Sequence, residues 1–118
     1  MANKVAWFEV VGSDGQQLRD FYGQIFGWNF QLGDDPSMDY GMTNPSDTGI
    51  GGGVGTSPGG AHAMFYVEVD DPQATLDQIV AAGGEVAMPV TELPMVTIAQ
   101  FKDPQGNTVG LFKGGGPG

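Results

Sequence analysis

Two stretches of this chain carry the same punctuation. Asp14 and Gly27 lie 13 residues apart, Asp71 and Gly84 lie 13 apart, and the second pair follows the first at an offset of 57. Ser13 or Asp14, and then Asp71 ahead of Pro72, have the chemistry of helix N-caps, and Gly27 and Gly83-Gly84 that of helix stops. Inside the first pair Leu18, Phe21, Tyr22, Ile25 and Phe26 recur at helical spacing; inside the second, Leu76, Ile79 and Val80 do. A strand precedes each predicted helix, at residues 4–11 and 61–69, and three shorter ones follow, at 28–32, 38–42 and 50–54 and then at 85–88, 96–101 and 107–113. An internal duplication, strand, helix and three strands taken twice, is the economical explanation.

The last two strands meet at a turn whose chemistry is explicit. In FKDPQGNTVGLF, Pro104 fixes φ, Asp103 can accept a local backbone hydrogen bond, and Gly106 tolerates positive φ. Strand alternation then assigns faces. Val109 and Leu111 form an aliphatic side suited to helix packing, which leaves Thr108, Gly110 and Phe112 opposite. By the same rule Val5, Trp7, Glu9 and Val11 share one face of the first strand, and His62, Met64, Tyr66 and Glu68 share one face of its counterpart.

At 118 residues the chain is expected to form one domain over 1–118, with modules at about 4–57 and 60–113 and a disordered tail at 114–118. The absence of cysteine excludes disulfides, thiolate metal sites and cysteine nucleophiles. Fourteen acidic residues against four Lys and Arg give a formal charge of -10, which repels polyanions, so nucleic acid is not an expected partner. No stretch has the length and apolarity of a membrane span, and no cationic leader follows Met1, so a cytoplasmic protein without membrane contact is expected. The run GIGGGVG lacks the Lys-Ser/Thr of a phosphate loop and is read as close backbone approach. Ser57 and Thr108 have no histidine at a spacing that signals a triad.

The repeated order, with FYGQIFGW in the first half and FKDPQGNTVGLF in the second, resembles the vicinal oxygen chelate superfamily of glyoxalase I, extradiol dioxygenases and bleomycin-resistance proteins. The resemblance implies an α+β fold in which two tandem βαβββ modules form a curved mixed-sheet cup with helices outside, and commonly a homodimer. It also implies up to four metal ligands, His, Glu or Gln, in the middle of the first and last strand of each module. Carried onto this chain, those places fall at Trp7, Gly53 or a neighbouring glycine, Met64 and Gly110. None is a usual ligand for a divalent ion, so no metal and no other cofactor is expected.

The expected function is therefore binding of a small apolar or aromatic molecule in a metal-free cup, with or without simple acid–base chemistry. Glu9 and Tyr66, equivalent through the offset of 57, are the candidates for chemistry: a carboxylate set beside an indole is partly desolvated, which suits a base or an anchoring acceptor. Trp7, Met64, Gln100, Thr108, Phe112 and His62 are the candidate ligand contacts. Met38, Met42, Met88, Met95 and Trp28 supply further adaptable apolar surface. His62 is read either as a ligand or proton shuttle, or as a polar residue opening a strand. A two-residue shift of register would bring His62 or Glu9 to a ligand position, and Glu68 is read as a further ligand of such a shifted arrangement. The alternative is then a metal-dependent lyase, isomerase or dioxygenase.

Overall fold

The structure is a computed structural model and describes residues 2–34 and 37–114. Eleven elements follow one another: β1 (Val5–Gly12), α1 (Gly15–Phe26), β2 (Phe30–Leu32), β3 (Tyr40–Thr43), α2 (Pro45–Thr48), β4 (Gly51–Thr56), β5 (His62–Glu68), α3 (Pro72–Ala81), β6 (Glu85–Glu92), β7 (Val96–Lys102) and β8 (Thr108–Gly114). The class is α+β, and the βαβββ order occurs twice. The chain divides into two compact units, Trp7–Met64 in one and the residues from Phe65 onward, with those up to Ala6, in the other.

In the first unit the strand order is β2-β3-β4-β1. β1 and β4 run parallel, with Trp7 opposite Gly51 and Glu9 opposite Gly53, while β3 is antiparallel to both β4 and β2. Parallel neighbours need a long crossover, and α1 begins it. That helix starts where the side chain of Asp14 accepts from the Gln17 amide, and it ends where Gly27 takes the left-handed conformation at φ 76. Phe8 of β1, Tyr22 and Phe26 of α1 and Trp28 build an aromatic cluster, with Tyr22 and Trp28 stacked at 5.5 Å. Trp28, grouped in the sequence with potential pocket residues, thus belongs to the helix side of the sheet. Residues 45–48 form the single helical turn α2, capped by Asn44 and begun by Pro45.

α1 also contributes a buried cation. Arg19, 6% exposed, donates to the Val54 carbonyl at 3.1 Å and ion-pairs with Asp39, which accepts from the Thr56 hydroxyl through its other oxygen. These hydrogen bonds, the one from Thr56 foremost and those from Arg19 next, hold the Asp39 carboxyl below its ordinary range. One guanidinium fastens the helix to the end of β4 and to the loop leading into β3.

The second unit repeats the order as β6-β7-β8-β5, again with its first and last strands, β5 and β8, parallel. Asp71 caps α3, and Gly83 follows it at φ 104. Leu76, 1% exposed, packs with Val69, Ala99 and Leu111, and Val67, Ile79, Val90 and Phe101 lean on that core. Ala99 and Phe101 thereby take the helix side of β7, which settles its register: Gln100, opposite Gly110, takes the other face. The hairpin forms between Lys102 and Thr108. Asp103 accepts there from the amides of Gln105 and Asn107 and from the Asn107 side chain, and Gly106 adopts φ 91. Asn107 tightens the turn, a role that the DPQG reading did not include. β8 runs to Gly114, and residues 115–118 of the tail expected to be disordered lie outside the described residues.

Candidate functional site

On the first unit, the face of β1 turned away from α1 carries Trp7 and Glu9, as alternation requires. The strands beside it complete a polar chain. The indole Nε1 of Trp7 donates to the hydroxyl of Tyr40 at 3.2 Å, and that hydroxyl donates to Oε2 of Glu9 at 3.0 Å. The other carboxylate oxygen, Oε1, faces Nε2 of His62 at 3.7 Å, beyond a hydrogen bond. The Glu9 side chain is 18% exposed and that of His62 39%.

Tyr40 reaches this place because β4 has no side chain in its way. A Cβ built on Gly53 would fall on the phenol of Tyr40, far inside van der Waals contact, and one on Gly51 would meet the Trp7 ring at 3.1 Å. These glycines are seats for aromatic rings, so the close approach read from GIGGGVG is made by side chains as well as by backbone. Alongside Trp7 lies an open depression of about 450 Å3, lined mainly by Asn29, Phe30, Met42, Pro45, Gly51 and the indole itself.

The second unit makes a comparable arrangement from different parts. Tyr66, 5% exposed on β5, lies over Gly110 of β8, its direct partner, so a Cβ at Gly110 would again collide with the ring. Gln100 donates to the Tyr66 hydroxyl at 3.2 Å. Of the remaining candidates, Phe112 is half-buried two residues along the same face, and Thr108 stands exposed at the hairpin end of β8. Met64 is buried, at 8% exposure. Glu68 is exposed, and its backbone is bonded to Asn3 and Lys4.

The family model for the glyoxalase/bleomycin resistance protein/dioxygenase superfamily matches residues 4–111, nearly the whole chain. This chain belongs to that superfamily. Among its relatives, CFP32 of Mycobacterium tuberculosis is 28% identical over 115 residues, which cover 91% of this chain and 44% of CFP32. The anthracycline biosynthesis protein DnrV of Streptomyces peucetius is 29% identical over 128 residues, covering 93% of this chain and 46% of DnrV. The chain thus spans about half the length of these curated relatives. Among solved structures, BH1468 from Bacillus halodurans C-125 superposes with a TM-score of 0.73 at 12% identity, covering 100% of this chain and 99% of that one, a likeness of fold.

Membership makes the four ligand places a physical question. An indole, a thioether and two glycines are a poor donor set for a divalent ion. At Gly53 and Gly110 the volume that a His or Glu would need is already taken by Tyr40 and Tyr66. The residues at these places therefore do not fit the metal centre that the resemblance implies. Among the described residues, no three His, Asp or Glu side chains come together elsewhere to replace it.

Sequence reasoning paired Trp7 with Glu9 and missed Tyr40. The available signal was the glycine run itself: strand positions without side chains, beside a strand carrying a tyrosine, ask for a ring to cover them.

Proposed function

We propose that this member of the superfamily binds a small apolar or aromatic molecule against the Trp7 face of its first module, without a metal ion at the family's ligand positions. The observation that carries the proposal is the phenol of Tyr40, seated on Gly53 and hydrogen-bonded to Trp7 and Glu9. It puts a fixed polar chain where a ligand side chain would otherwise stand, and Trp7 at the end of that chain lines a depression of mixed wall, with Phe30, Met42 and Pro45 beside Gln31 and Asn44. Glu9 is the acceptor or base of this site, because Tyr40 orients the carboxylate through one oxygen and leaves the second toward His62. Tyr66 with Gln100 is the corresponding polar group of the second module, with Phe112 two residues along from Gly110 on the same face. A homodimer acting in the cytoplasm is part of the proposal; among the described residues no helix is long and apolar enough to cross a membrane.

The test has two arms. Elemental analysis of protein purified without chelator should find no near-stoichiometric divalent metal. Titration with 2-naphthalenemethanol, a neutral aromatic probe, should shift the indole N–H resonance of Trp7 and leave that of Trp28 in place. Stoichiometric metal that disappears in His62→Ala would overturn this reading in favour of a metal-dependent enzyme using Glu9 and His62, which the 3.7 Å approach of the pair would then explain.

A further inference from the structure

We infer that the preferred ligand of this site is an organic cation, an aromatic or otherwise apolar body carrying an ammonium group, with Oε1 of Glu9 as its counter-ion. The inference rests on the binding role proposed for the Trp7 face and adds the chemical class of what binds there.

Four observations converge on it. Glu9 is a carboxylate that is 18% exposed, and the hydroxyl of Tyr40 occupies only Oε2. Oε1 has His62 at 3.7 Å, too far to satisfy it, and an ammonium or another strong donor is the group it can best accept from. Next, Trp7, two residues from Glu9 on the same strand face, lines a depression to which Glu9 itself does not contribute, and the face of an indole attracts cations. Third, an anionic ligand has no free Lys or Arg here, and His62 stands beside the Glu9 carboxylate. Arg19 is the one Lys or Arg between residues 7 and 64, against seven Asp and Glu, and it is buried and committed to Asp39 and the Val54 carbonyl. Finally, the formal charge of -10 over the chain draws cations toward the surface and holds anions away.

Tyr40 is the positioning residue in this scheme. Its hydroxyl accepts from Trp7 and donates to Glu9, so it fixes the carboxylate plane without neutralising the charge. A neutral acceptor or an acid would face Oε1 with like polarity, and the specificity would come as much from that repulsion as from attraction.

The experiment compares three probes that share one ring system: 2-naphthylmethylammonium, 2-naphthalenemethanol and 2-naphthoate. Each is titrated into the full chain and read by the Trp7 indole resonance. The cation should bind at least tenfold more tightly than the alcohol, and the carboxylate should bind more weakly than either. In Glu9→Gln the preference for the cation should disappear while the alcohol still binds. Tyr40→Phe, which keeps the ring on Gly53, should reduce the preference without abolishing it, and far-ultraviolet dichroism checks that both variants fold. Equal binding of the three probes, tightest binding of the carboxylate, or a cation preference that survives Glu9→Gln would overturn the inference and leave the binding role standing. No shift of the Trp7 resonance by any probe would overturn both.

Discussion

The seating of Tyr66 on Gly110 makes a quantitative prediction about two residues at once. A methyl group at Gly110 would lie within 3.0 Å of Cγ, Cδ2 and Cε2 of Tyr66, so the ring would have to move by about 1 Å or more to restore ordinary contact. The ring is 5% exposed, and its hydroxyl is tied to Gln100, so that motion would break packing and a hydrogen bond together. Overpacking of a core of this kind costs roughly 1–3 kcal/mol, and the upper end applies because the obstacle is a rigid ring. Tyr66→Ala alone should cost about 3–5 kcal/mol, the usual range for truncating a buried aromatic. In the double variant the added methyl enters space that the ring has left, and replacing glycine within a strand becomes neutral or slightly favourable. The coupling energy should therefore be about 2–3 kcal/mol. Equilibrium urea denaturation of the four proteins measures it, with Gly114→Ala as the control, since a Cβ there meets nothing. If the two single costs simply add, within about 0.5 kcal/mol, the ring does not occupy the place of the missing side chain, and the account of the ligand positions fails with it.

Two further predictions concern other parts of the molecule. Asp39 is held below its ordinary pKa by Thr56 and Arg19, so its ionised form stabilises the fold above the unfolded value and that contribution is lost as pH falls through the folded one. Asp39→Asn should therefore be less stable than the parent at pH 7, and the two denaturation midpoints should converge below roughly pH 4; a gap that stays constant with pH would refute the linkage. A homodimer would cover Phe21, Ile25 and Phe26 of α1, which are 54%, 57% and 60% exposed, and light scattering at micromolar concentration should give twice the chain mass; a monomer mass would count against it.

What could be read from the sequence was whatever neighbouring residues decide among themselves. Asp14 and Asp71 cap their helices, Gly27 and Gly106 take positive φ, and Trp7 shares a strand face with Glu9, because each of these depends on a few consecutive residues. The face that Gln100 takes is not decided locally: it depends on whether Ala99 and Phe101 reach Leu76, which is a tertiary fact. The burial of Arg19 could not be read, because nothing local announces that Asp39 and the Val54 carbonyl will meet it. Tyr40 was placed correctly in the third strand, but its partner Gly53 lies on a neighbouring strand. The register between strands is set by pairing across the sheet, so the link from Tyr40 to Glu9 became visible only in three dimensions.

The two tyrosines sit on their glycines from strands that do not correspond under the repeat. Tyr40 lies on β3, whereas Tyr66 lies on β5, the counterpart of β1. The halves therefore fill the two positions from different strands, and each filling closes its own position to a ligand. A His or Glu arising at Gly53 or Gly110 meets a ring, and loss of the ring alone leaves a hole, so each of these two places demands two changes before either is useful. Building a four-ligand centre into this chain would mean crossing such a barrier in both halves.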